Sequence, residues 1–162
     1  MKIQKAAACV LVLANFIVAP GFAYPDLTRA KLQRMYLDFL AAKNIEAEID
    51  GNGDIQFMHK LQNYECRYRI RVDPGDPVFF QLLTADLWRL ESEKELAAAF
   101  FAASRVNRDV WQAKAFVNSQ SDDVVFTAQT LLAKPEDFVN IFDKLVECLD
   151  EGFWTFAGAM RD

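Results

Sequence analysis

The stretch Tyr64-Glu65-Cys66-Arg67-Tyr68-Arg69-Ile70-Arg71-Val72 decides the fold. Tyr64, Cys66, Tyr68, Ile70 and Val72 fall on one side of an extended chain, and Glu65, Arg67, Arg69 and Arg71 fall on the other. That is the period-two pattern of a strand with one face in a core and one in solvent. Upstream, Ile45, Ala47 and Ile49 alternate with Glu46, Glu48 and Asp50, Gly51-Asn52-Gly53-Asp54 turns the chain, and Ile55, Phe57 and His59 alternate again. Downstream, Asp73-Pro74-Gly75-Asp76-Pro77 is a strong turn, and Val78–Trp88 reads as a strand with apolar residues on both sides. Four strands joined by short turns make an antiparallel meander.

Helices flank it. Thr28 reads as an N-cap for a first helix over 28–43, with Leu27 and Leu32 at hydrophobic-staple spacing and a stripe of Leu32, Met35, Tyr36, Phe39 and Leu40. Asn44 suits its end. Ser92 and Glu95 form a capping box that opens a second helix through Leu96, Ala99, Phe100, Ala103 and Val106 to about Asn107. Gln112–Asn118 and Asp123–Leu132 read as a hairpin. Pro135, Glu136 and Asp137 start a third helix with the stripe Phe138, Ile141, Phe142, Leu145, Cys148 and Leu149, and Gly152 is its expected stop. The aromatic tail Phe153, Trp154, Phe156 is too apolar to stay in water and should dock. The order α-β-β-β-β-α-β-β-α predicts one two-layer α+β domain, an antiparallel sheet with helices on one face.

The first 23 residues are read as separate from this domain. Lys2 and Lys5 precede an apolar run from Ala6 to Ala19, and Gly21-Phe22-Ala23 places small residues before Tyr24. A basic start, a short apolar run and a small-residue exit are the parts of a secretory signal peptide. The run is shorter than the roughly 20 residues that span a membrane, so stable insertion is not expected after cleavage. Residues 24–162 would then form a single domain in the periplasm or outside the cell. Cys66 and Cys148 remain, one on the core side of a strand and one on a helix stripe. They are a candidate disulfide or two buried thiols.

The 162 residues carry a formal charge of −5, which argues against a general nucleic-acid binder. A single histidine, His59, excludes His-pair zinc sites and leaves any acid–base chemistry resting on one side chain. No Gly-x-Ser-x-Gly elbow, phosphate-binding glycine loop or Cys-x-x-Cys is present. Asp50-x-Asn52-x-Asp54 begins like a calcium loop, but Ile55 stands where glycine is needed and Leu61 where a bidentate Glu belongs. A hairpin turn explains it better. No cofactor is expected.

Several phrases together resemble the YbjN family, which has the fold of type III secretion chaperones. They are Leu27-Thr28, Ile49-Asp50-Gly51-Asn52-Gly53-Asp54-Ile55, Val72-Asp73, Val106-Asn107-Arg108 and Lys114-Ala115-Phe116-Val117. The resemblance spans almost all of Leu27–Met160. It implies a two-layer α+β domain, often dimeric, with a role in binding or regulation and no catalytic residues to carry over. The expected export signal sets this chain apart from cytoplasmic examples.

The candidate partner site combines two features. Arg67, Arg69 and Arg71 form a row about 7 Å apart that suits carboxylates of an acidic peptide. The bland alternative is a solvated face neutralised by Glu46 and Glu48 on a neighbouring strand. Beside the row, Phe79, Leu83 and Leu87 form an apolar patch that a protein partner, a second copy or the aromatic tail would cover. The resulting expectation is an exported, non-enzymatic protein-binding or chaperone-like module. A small-ligand binder or enzyme using His59 and the acidic hairpin is the alternative, and a self-associating envelope protein the third reading.

Overall fold

The computed structural model describes residues 26–61, 64–75 and 77–161. The expected signal peptide, residues 1–23, lies outside them. Helix α1 (Arg29–Ala42) starts where Thr28 Oγ1 accepts the Lys31 N–H at 3.2 Å, and it ends where Asn44 turns left-handed at φ 58°. Strands β1 (Ala47–Ile49), β2 (Ile55–Leu61), β3 (Tyr64–Asp73) and β4 (Val78–Thr84) form the antiparallel meander. Helix α2 (Glu93–Asp109), strands β5 (Ala113–Val117) and β6 (Val124–Leu132), a single 3-10 turn (Pro135–Asp137) and helix α3 (Phe138–Ala159) complete the element order read from the sequence.

The six strands lie in the order β1-β2-β3-β4-β6-β5, every neighbouring pair antiparallel. The last hairpin therefore enters the sheet with its second strand against β4 and its first at the edge, after a crossover through α2. That edge is closed by a side chain. Asn107 at the end of α2 donates from Nδ2 to the Ala115 carbonyl at 3.0 Å and accepts the Ala115 N–H on Oδ1 at 2.8 Å. Its carboxamide thus pairs with β5 as a neighbouring peptide would, which blunts an edge otherwise open to another strand.

All three helices cover one face. Tyr36 meets Phe80 and Phe138 edge-on, Phe57 stacks on Tyr68, and Phe126 packs against Phe153 and Phe156. The aromatic tail does dock, but as the continuation of α3, which runs through Gly152 to Ala159. Gly152 is a contact glycine rather than a stop. A Cβ there would sit 3.1 Å from Ala113 Cβ and 3.5 Å from Val106 Cγ1, so its absence lets α3 close on α2 and β5.

Two further expectations need correction, and one open alternative is narrowed. The strand expected over Val78–Trp88 ends at Thr84. Asp86, at φ 60°, breaks the extended chain, and its N–H is held by Asp123 Oδ2 at 2.8 Å. Phe100, expected on the buried stripe of α2, is 58% exposed; the buried face is Ala99, Ala102, Ala103 and Val106. Of the two readings offered for the cysteines, the structure has the second: Cys66 and Cys148 are both buried free thiols. Burial raises both thiol pKa values, so each behaves as a small hydrophobe.

Candidate functional site

Helices on one face leave the other face of the sheet to solvent, and strand register fixes what stands on it. Residues directly opposite on antiparallel strands share a face. Asp73 lies opposite Phe79, and Phe79 opposite Leu131; Arg71 lies opposite Gln81, and Gln81 opposite Gln129. The longest row runs Glu48, Gln56, Arg69, Leu83, Thr127, Lys114 across all six strands. A further row sets Met58 opposite Arg67. The arginine row and the apolar residues Phe79 and Leu83 therefore do stand side by side.

The three arginines are not equivalent. Arg69 Nε lies 3.1 Å from Asp50 Oδ2, whose side chain is only 10% exposed. The other oxygen of Asp50 accepts the Asn52 N–H at 2.8 Å and the Asp54 N–H at 3.0 Å, while Asp54 Oδ1 accepts the Val72 N–H at 2.9 Å. The carboxylates of the Asp50–Asp54 turn are thus engaged in building the hairpin, and Arg69 belongs to that structure. Among the described residues no cluster of His, Cys, Asp and Glu could hold a metal ion. Glu48, expected to neutralise the row, instead accepts from Gln56 Nε2 at 2.5 Å. Arg67 and Arg71 are exposed and make no ion pair with another described residue.

The apolar patch also differs from expectation. Leu87 lies beyond the end of β4 and packs against the core, so it leaves the face. Leu131, 62% exposed opposite Phe79, and Met58, half exposed opposite Arg67, join it. Met58 reaches the arginines through the β2–β3 pairing, whereas the place of Leu131 beside them depends on β6 pairing with β4.

His59 lies elsewhere, on the inner side of β2, in a groove of about 760 Å³ where β1 stops short of β2. Lys43, Glu46, Met58, Lys60, Glu65 and Arg67 also border this groove. Burial lowers the imidazole pKa, with Asp143 opposing the shift and Lys43 adding to it. The ring neighbours Phe57 and Tyr68, and no hydrogen bond joins it to another described residue. The catalytic use of His59 needs an orienting acid and a nucleophile, and neither is assembled around it among the described residues.

These features define a small α+β domain whose distinctive surface is a helix-free sheet face bearing exposed guanidinium groups beside apolar side chains. Residues 37–153 match the model of the YbjN family, described as "putative bacterial sensory transduction regulator". The chain belongs to that family, as the resemblance in its sequence implied. A search of curated proteins finds no match. Among the described residues no helix is long and apolar enough to cross a membrane.

Proposed function

We propose that this chain is an exported, non-enzymatic protein-binding module of regulatory or chaperone-like type that docks a partner on its helix-free sheet face. The carrying observation is the pairing, on one uncovered face, of two exposed guanidinium groups at Arg67 and Arg71 with the apolar side chains Phe79, Leu83 and Leu131. Apolar side chains in the patch supply the affinity once covered, and the arginines select carboxylates at its border. The family description, a regulator of sensory transduction, supports action through contact with another protein. Nucleic acid is disfavoured by the net charge of −5.

Export rests on Lys2, Lys5, the apolar run Ala6–Ala19 and the small residues before Tyr24. It predicts a mature chain beginning near Tyr24 in the periplasm or medium. N-terminal sequencing of the native protein after cell fractionation tests this, and an intact N-terminus in the cytoplasm refutes it. For the partner, the full chain is crosslinked in its native host and captured, beside the Arg67→Glu/Arg71→Glu variant. Loss of the same co-purifying protein from the variant supports the reading; unchanged capture refutes it.

The groove at His59 favours one second reading, a small ligand bound where β1 stops. Native mass spectrometry of the purified chain distinguishes the two: a bound mass lost in His59→Ala would support the ligand.

A further inference from the structure

Resting on the reading of the helix-free face as a partner site, we infer that the partner presents an amphipathic α-helix, laid along β4 with two carboxylates of one flank over Arg67 and Arg71. Main-chain hydrogen bonds in a sheet run within its plane. A chain laid across the face therefore finds no main-chain partner there and must satisfy its own N–H and C=O groups. A helix does so internally, and an extended segment does not. Length agrees with this. β4 has seven residues and spans about 23 Å, the length of a helix of about 15 residues.

The charges on the face are those of a receptor for acids. Where the face neutralises itself, opposite signs meet: Glu65 stands opposite Lys60, and Arg69 is held by Asp50. Asp73 accepts the Gly75 N–H at 3.2 Å. Arg67 and Arg71 instead stand opposite neutral residues, Met58 and Gln81, and make no ion pair with another described residue. Four strand residues separate them, about 13–14 Å. Carboxylates seven or eight residues apart on one flank of a helix are about 10.5–12 Å apart, a difference that the long arginine side chains close. Phe79 and Leu83 repeat the same spacing on β4, with Leu131 opposite Phe79, so the apolar stripe of the helix falls on them. Between these anchors, Gln81 Nε2 donates to Thr127 Oγ1 at 2.9 Å, and Thr127 Oγ1 donates to the Leu82 carbonyl at 3.3 Å. A helix covering them leaves neither group unpaired.

The probes are two synthetic, end-blocked peptides of about 18 residues, each cross-linked into a helix on its outer side. Both carry a leucine stripe and two glutamates eight residues apart, set on one flank of the stripe in the first peptide and on the other flank in the second. Fluorescence anisotropy reads their binding to the purified chain, and one of the two is expected to bind. Exchanging its glutamates for lysines should weaken binding by at least about 10-fold, and the lysine peptide should recover affinity on the Arg67→Glu/Arg71→Glu variant. A version without the cross-link and with a central proline, which breaks the helix, should also weaken by at least about 10-fold. Leu131→Ser, at a 62% exposed position, should weaken binding while circular dichroism shows an unchanged fold. Failure of both peptides to bind wild type overturns the inference, as does equal binding by the proline peptide. Indifference to the exchange of glutamate for lysine overturns the roles of Arg67 and Arg71. If the peptides fail while Arg67→Glu/Arg71→Glu still loses its crosslinked partner, the partner site stands and its occupant is not a helix; if that loss is absent too, the site itself fails.

Discussion

Replacing each arginine of β3 in turn should separate one that holds the fold from two that face a partner. Asp50 is the reason. Its side chain is 10% exposed, with Oδ1 bound to two turn amides and Oδ2 facing Arg69 Nε at 3.1 Å. Arg69→Ala removes the guanidinium that faces this nearly buried carboxylate. Exposed ion pairs contribute about 0.2–1 kcal/mol and breaking a buried one costs about 3–5 kcal/mol; with Arg69 38% exposed and Asp50 10% exposed, the expected loss lies between, at about 1–2 kcal/mol. For a domain of this size that is roughly 3–8 °C in Tm. Arg67→Ala and Arg71→Ala break no ion pair with a described residue and should stay within about 0.5 kcal/mol of wild type. Thermal unfolding followed by circular dichroism measures all three, and partner capture is run on the same proteins. The expected pattern is crossed: Arg69→Ala costs stability, while Arg67→Ala and Arg71→Ala cost binding. Equal Tm losses at all three positions would refute the division, and so would a stable Arg69→Ala protein.

Four further outcomes are expected. The hydroxyls of Tyr36 and Tyr68 are buried without a hydrogen-bond partner among the described residues, so Tyr68→Phe should be neutral or raise stability by up to about 1–3 kcal/mol in chemical denaturation. Burial raises both tyrosine pKa values, so their contribution is complete below the unfolded value near 10 and is lost as pH rises above it; alkaline unfolding should be blunted in Tyr36→Phe/Tyr68→Phe. Asn107→Ala should cost about 1–3 kcal/mol by opening both main-chain groups of Ala115, and static light scattering should show association through the exposed β5 edge. Gly152→Ala should destabilise by about 1–2 kcal/mol, because crowding against Ala113 outweighs the helix-propensity gain, and adding Ala113→Gly should relieve it.

Local chemistry carried most of the architecture. Thr28, Asn44 and Ser92 mark helix ends through hydrogen bonds or backbone conformations that depend on near neighbours, and the alternation through Tyr64–Val72 names the face of every residue in β3. What escaped depends on contacts distant in sequence. Leu87 looks like a strand residue until Asp123 holds the Asp86 amide and turns the chain away. Phe100 satisfies a helical stripe, but a wall of alanines packs more closely against α3 and β5, and the larger ring is excluded. Gly152 resembles a helix stop because the close approach of Ala113 is invisible in sequence. In the candidate site, Arg67 and Arg71 were legible as exposed. For the arginine row, strand alternation offers Glu46 and Glu48 as neutralising acids; the carboxylate beside Arg69 is Asp50 of the hairpin turn, which alternation does not predict.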